Sequence, residues 1–137
     1  MIIQEGSFDS TVRNQLNAAL QQAQGVAAGN IVYLDPAAGY DGNNGQSPST
    51  ALATLASGYN ALREGKNDIL VLISNGLTTS TARLSSTFTW AKNAAHLVGV
   101  CSPVRVGKRA RIAPTSGATA FANFFVVSGA GCLFKNI

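Results

Sequence analysis

Acidic residues are the scarcest feature of this 137-residue sequence, and its second half contains none. All six Asp and Glu residues lie in residues 1–68, which hold three of the ten basic residues, so this half has a net charge of −3. Residues 69–137 hold the other seven basic residues, a net charge of +7. Half of the chain therefore lacks the carboxylates that a calcium site or a pair of catalytic carboxyl groups would need.

Charge of either sign is also scarce, because charged residues make up 12% of the chain and hydrophobic residues 46%. This composition predicts one folded domain with a buried core rather than a disordered chain. Fourteen glycines and few charges favour closely stacked β structure, or a surface covered by partner subunits.

Secretion and membrane signals are missing as well. The start of the chain, 1–5, has no basic region followed by a long apolar run. The longest apolar run, 69–73, is too short to span a bilayer, so we expect synthesis in the cytoplasm and no membrane partner. Two cysteines make no disulfide framework, and the sequence leaves open whether Cys101 and Cys132 pair.

The pattern of residues 1–29 predicts a helical anchor followed by a linker. A helix over 7–24 can be capped by Ser7 or Asp9, and glycines follow it. Its apolar stripe is thin and consists of Val12, Leu16, Ala19, Leu20 and Ala23. Such a helix packs either on its own domain or on another protein, and its separation by glycines favours the second.

Residues 30–75 predict a strand, a loop, a helix and a second strand. The predicted bounds are 30–34 for the first strand, 50–63 for the helix and 68–74 for the second strand. The second strand is continuously apolar, which is typical of a strand covered on both faces. Between the first strand and the helix, dense Asp-Gly and Asn-Gly pairs predict turns.

Residues 76–137 predict a series of short strands without helices. The predicted segments are about 82–90, 95–101, 109–113, 123–128 and 132–137. Such a series is typical of a sandwich, a barrel or a β-solenoid. Because the sequence stops inside a strand-like run, we expect the same structure to continue beyond residue 137.

Two stretches carry a resemblance to a known fold. They are Tyr33-Leu34-Asp35-Pro36 with Gly39-Tyr40-Asp41-Gly42-Asn43-Asn44-Gly45-Gln46-Ser47-Pro48-Ser49-Thr50, and Val126-Val127-Ser128-Gly129-Ala130-Gly131-Cys132-Leu133-Phe134-Lys135-Asn136-Ile137. The first resembles the opening segment of pectate-lyase-like right-handed β-helix proteins, and the second resembles one of their coils. The resemblance implies a mainly β chain with an N-terminal α-helix, in which a β-α-β capping segment begins a right-handed parallel β-helix.

The segment from Glu5 to Leu20 resembles the lead of bacteriophage virion proteins. This implies a structural head-fibre or decoration protein that binds other virion proteins of the capsid or tail. We expect a homotrimer, because three chains would bury an apolar, weakly charged surface. We expect no enzyme, because residues 69–137 have no carboxylates. The expected attachment residues are Phe8, Val12, Arg13, Leu16 and Leu20. The alternative is the N-terminal part of a tailspike or tail-fibre depolymerase, whose downstream part would bind a host surface glycan.

Candidate chemistry on the chain itself is sparse, and we expect no catalytic residue, cofactor or metal. Asp41, Asn43 and Asn44 have part of a calcium-loop pattern but lack its further ligands, so they predict a turn. The single histidine, His96, has no cysteine or acid near it in sequence and is expected to be an ordinary strand residue.

A basic cluster is the remaining candidate site, formed by Arg105, Lys108, Arg109 and Arg111. Basic clusters bind nucleic acid in many proteins, but there aromatic residues often alternate with the cations, and here they do not. Because the first half of the chain is acidic, an acidic protein surface is the expected partner, and not nucleic acid.

Overall fold

The computed structural model describes residues 29–101, 109–117 and 121–137. The predicted helix over 7–24 and the expected attachment residues from Phe8 to Leu20 lie outside the described residues. Arg105 and Lys108 of the basic cluster also lie outside them.

The described residues form a mainly β structure with one α-helix. The strands are β1 (Ile31–Leu34), β2 (Asp68–Ser74), β3 (Ala82–Leu84), β4 (Phe88–Trp90), β5 (Ala95–Cys101), β6 (Ile112–Pro114), β7 (Phe125–Val127) and β8 (Phe134–Lys135). The helix α1 spans Leu55–Ala61, and short 3-10 turns span Pro48–Thr50 and Thr78–Ser80.

The strands form three parallel sheets that the chain visits in a fixed order. Sheet A has the order β1-β2-β5-β8, sheet B pairs β3 with β6, and sheet C pairs β4 with β7. After β1 the chain passes through sheets A, B and C, passes through them again, and returns to sheet A. Each strand therefore lies beside its counterpart from the previous passage, as Leu97 lies between Leu70 and Phe134.

The core lies among the inward-facing side chains of the three sheets. Trp90 is fully buried, and its indole N–H donates to the Ala95 carbonyl over 3.1 Å. The rings of Phe88 and Phe125, which are register partners in sheet C, stack with centroids 5.7 Å apart. Aromatic rings thus connect one passage of the chain to the next inside the core.

Helix α1 and the loop before it cover the β1 side of the core. The Thr54 hydroxyl caps the helix by accepting the Ser57 N–H over 3.3 Å. Gly58 allows the close approach, since a Cβ there would lie 2.8 Å from a methyl carbon of Leu70. The edge of β1 that faces away from β2 pairs with this loop, where the N–H groups of Tyr33 and Asp35 donate to the carbonyls of Gly45 and Leu52.

A left-handed residue precedes three strands of sheet A. Asn67, Ala94 and Gly131 have φ values of 57°, 47° and 68°. The sheet register places these three residues at equivalent positions, ahead of β2, β5 and β8. The chain therefore enters β2, β5 and β8 through a left-handed residue at the same register position.

The predicted bounds agree with the structure best at the long strands. Those of β2 (68–74) and β5 (95–101) are confirmed. The single strand over 82–90 is wrong, because residues 85–87 form the corner between sheets B and C. The predicted helix over 50–63 is too long, since Leu52 still pairs with Leu34 in an isolated β-bridge and Thr54 caps the helix.

The later strands are shorter than the sequence predicts. The segment 109–113 becomes β6 at Ile112–Pro114, 123–128 becomes β7 at Phe125–Val127, and 132–137 becomes β8 at Phe134–Lys135. Positive φ at Asn136 ends β8.

Candidate functional site

Asp68 is the first candidate for a reactive group, because its carboxylate is fully buried at the start of β2 and polar groups surround it. Its carboxylate accepts hydrogen bonds from the Arg63 guanidinium (2.7 and 2.9 Å) and from the N–H groups of Arg63 and Asn30 (2.8 Å each). The hydrogen bonds from the Arg63 side chain are the main reason that the pKa of Asp68 falls to about 2. The carboxylate is held ionised and fully bonded, so it joins β1, β2 and the end of α1 and has no free oxygen for catalysis.

His96 lies on β5, as the sequence predicts, and is buried. Its Nδ1 accepts the Leu133 N–H over 3.0 Å, so the ring proton lies on Nε2, which donates to the Asn67 side-chain oxygen over 3.1 Å. Burial lowers the pKa of His96 and favours this neutral form. The ring bridges three successive passages of the chain, which is a structural role.

The turn residues Asp41, Asn43 and Asn44 bond to their own loop, which confirms the predicted turn. Asp41 accepts the N–H groups of Ala53 (2.8 Å) and Thr54 (2.9 Å). Burial alone would raise the pKa of Asp41, but these hydrogen bonds outweigh it and the pKa is lowered. Asn43 donates to the Ala51 carbonyl, and Asn44 accepts from Gln46 and Thr50.

The two cysteines are free thiols in the structure. Cys101 ends β5 beside Ser74, whereas Cys132 precedes β8, and its Sγ donates to the Lys92 carbonyl over 3.3 Å. Among the residues that the structure describes, no group of three or more His, Cys, Asp or Glu side chains is placed to hold a metal ion. No helix within that part of the chain is long and apolar enough to cross a membrane.

The described part of the basic cluster lies along sheet B. Arg109 and Arg111 are exposed, and Arg111 donates to the Gly76 carbonyl over 2.9 Å. The structure adds Arg83, which the sequence analysis did not include because Arg83 lies over twenty residues before the cluster. Arg83 is exposed on β3 and donates to the Pro114 carbonyl over 2.9 Å. The signal available in the sequence was the polar position between Ala82 and Leu84, which marks an outward-facing strand residue.

The outer face of sheet A carries a second apolar cluster, separate from the main core. Ile69 and Val98 pack there with Val71 and Leu133, and Val100 is 48% exposed. Ile69 and Val98 are buried on this face, whereas Val71 and Leu133 stay partly exposed, and parallel sheets are ordinarily covered on both faces.

Comparisons of the chain with protein-family models, with curated proteins and with solved structures found no match.

Proposed function

We propose that this chain is a structural protein of a bacteriophage virion, a head fibre or decoration protein whose N-terminal segment attaches a projecting right-handed parallel β-helix to the capsid. In this proposal residues 1–29 are the anchor and linker, 30–75 cap the β-helix, and 76–137 form its first coils.

The observation that carries the proposal is the repeated order of the strands. In a β-helix the chain passes through its parallel sheets in the same order on every coil, and the strand order of this chain supports that architecture. The equivalent left-handed residues Asn67, Ala94 and Gly131 support the same reading, because a coil repeats its corners as well as its strands. Right-handedness follows from the strong preference of parallel crossover connections.

The difference between the two ends of the core supports the assignment of the cap. On the β1 side, the loop from Gly45 to Leu52 pairs with the strand edge, and helix α1 packs over Leu70. On the β8 side, the core side chains Phe125 and Phe134 stay partly exposed. A helix and loop over one end are what the first coil of a β-helix needs, and partly exposed core rings are what a following coil would cover.

The distribution of acidic residues favours a scaffold over an enzyme. Residues 69–137 contain no Asp or Glu, so coils built from them cannot supply the two carboxyl groups of a glycosidase or the oxygen cluster of a calcium-dependent lyase. A depolymerase built on this chain would need carboxylates from elsewhere.

The apolar outer face of sheet A supports the proposal of a homotrimer. Val71 is partly exposed and Val100 is 48% exposed there, and three copies around an axis would remove these side chains from water. This assembly would also explain why so small a share of the chain is charged.

The attachment proposal is tested by deleting residues 1–25. We expect the shortened chain to keep the circular dichroism spectrum of a folded β protein and to lose binding to purified phage particles in a co-sedimentation assay. Undiminished binding by the folded deletion variant would overturn the attachment role.

A pair of point variants refines this test. Leu16→Glu places a charge on the predicted apolar stripe and should abolish co-sedimentation, whereas Asn14→Glu adds the same charge on the opposite face of the predicted helix and should not. Equal binding by both variants would show that the stripe is not the contact surface.

A further inference from the structure

We propose that the outer face of sheet B, together with the adjoining Leu77, is a docking surface for a protein partner that presents carboxylates beside an apolar side chain. The inference rests on the described residues of sheets A and B and does not depend on the virion function proposed above.

Arg83 and Arg111 share one face of sheet B. Arg83 lies opposite Ala113, and the Ala82 N–H donates to the Arg111 carbonyl over 2.9 Å, so the two arginines are two register positions apart. Side chains two positions apart project from the same face, and the strand spacing puts their Cβ atoms roughly 8 Å apart. Both side chains are exposed.

Each of the two guanidinium groups is held in place by a backbone carbonyl of the other passage. Arg83, on the first passage, donates to the Pro114 carbonyl of the second, and Arg111, on the second, donates to the Gly76 carbonyl of the first. These bonds restrict two long side chains before any partner arrives, which lowers the entropy cost of binding. A guanidinium that uses one nitrogen in this way keeps further N–H donors for a carboxylate.

No carboxylate of the described chain neutralises this face. The ion pair found among the described residues is Arg63–Asp68, so Arg83, Arg109 and Arg111 have no carboxylate within 4 Å there. Residues 69–137, which contain the whole of sheet B, have no acid at all. The charge of this face is therefore open to an anionic partner.

An exposed leucine decides between the classes of anionic partner. Leu77 directly follows Gly76, whose carbonyl holds Arg111, and the Leu77 side chain is 61% exposed. Arginines beside an exposed apolar residue are typical of protein interfaces. Single-stranded nucleic acid would instead stack on exposed aromatic rings, and the described part of sheet B has none on its outer face.

The proposal is tested with the full chain and a fluorescein-labelled short peptide of alternating Glu and Leu residues, by fluorescence anisotropy at physiological salt. We expect saturable binding that Arg83→Gln/Arg111→Gln weakens at least about tenfold, because two charge-assisted contacts are lost. Leu77→Ser should weaken the same peptide about fivefold through lost apolar burial.

The matched control is Lys66→Gln/Lys135→Gln, which removes the same net charge from exposed positions away from sheet B. It should change peptide affinity less than twofold. The proposal is overturned if the peptide does not bind saturably, or if this control weakens binding as much as the arginine variant. It is also overturned if a DNA duplex binds more tightly than the peptide, or if Leu77→Ser has no effect on the peptide.

Discussion

Lys92 and Tyr59 form two reciprocal hydrogen bonds, in each of which the side chain of one residue contacts the backbone of the other. The Lys92 backbone N–H donates to the Tyr59 hydroxyl over 3.0 Å, while the Lys92 ammonium donates to the Tyr59 carbonyl over 2.8 Å and lies 4.5 Å from the centre of its ring. The ammonium also donates to the Leu62 carbonyl over 2.6 Å, so it caps the carboxyl end of α1. Lys92 and Tyr59 thus connect helix α1 to the turn between β4 of sheet C and β5 of sheet A.

The Tyr59 hydroxyl should matter for stability, because it accepts the N–H groups of both Ala91 and Lys92. Tyr59→Phe leaves these partly solvated donors without that acceptor, and we expect a loss of about 0.5–1.5 kcal/mol in the free energy of unfolding. Urea denaturation followed by tryptophan fluorescence measures it through the buried Trp90. Tyr40→Phe, at a tyrosine that is 70% exposed, should change stability by less than about 0.5 kcal/mol.

The Asp68 carboxylate makes stability depend on acid. Its pKa is about 2 in the folded chain against 3.8 ordinarily, so its contribution is present above pH 4 and is lost as the pH falls toward 2. The full linkage is about 2 kcal/mol, and solvent screening at the half-exposed Arg63 reduces it.

Asp68→Asn should lower stability at pH 7 by about 1–2 kcal/mol, because its amide cannot accept all four hydrogen bonds that the buried carboxylate accepts. The same variant should flatten the pH dependence of the urea midpoint between pH 4 and 2. A variant that keeps the wild-type slope in this window would show that another carboxylate is responsible.

The titration of His96 should lower the stability of the folded chain at mildly acidic pH. Burial lowers its pKa in the folded chain, so the unfolded chain binds the proton first as the pH falls below about 6.5, and stability decreases from there. A proton on Nδ1 would also remove the acceptor of the Leu133 N–H. Urea midpoints at pH 7.5 and 5.5 should differ more in the wild type than in His96→Gln, and equal differences would contradict this role.

The left-handed backbone at Ala94 leaves room for a stabilising change. An L residue with a Cβ is strained at a φ of 47°, so Ala94→Gly should raise the free energy of unfolding by about 1 kcal/mol. Ala91→Gly, at an exposed neighbouring alanine without positive φ, should lower stability by about 0.5 kcal/mol. Thermal unfolding of both variants compares the two signs directly.

The sequence predicts the strands best where they are long and mostly apolar. The runs of β2 and β5 are set by their own side chains, whereas the bounds of β3, β4, β6 and β7 depend on where the chain turns between sheets. Those corners are set by contacts over thirty residues away, such as Phe88 on Phe125, which no local pattern contains.

The candidate surface was predictable only in part for the same reason. Arg109 and Arg111 form a visible cluster in sequence, but Arg83 joins them only because β3 pairs with β6. The four hydrogen bonds to Asp68 likewise come from separate segments. An acid at the start of an apolar strand was the single local sign that Asp68 is buried.

Electron cryomicroscopy of phage particles carrying this chain, with a gold label fused after Ile137, tests the central claim most directly. The account predicts a rod-shaped density that projects from the virion, with the gold label away from the capsid surface and residues 1–29 at its base. Particles without label density, or with the label buried against the capsid and no projecting rod, would contradict it.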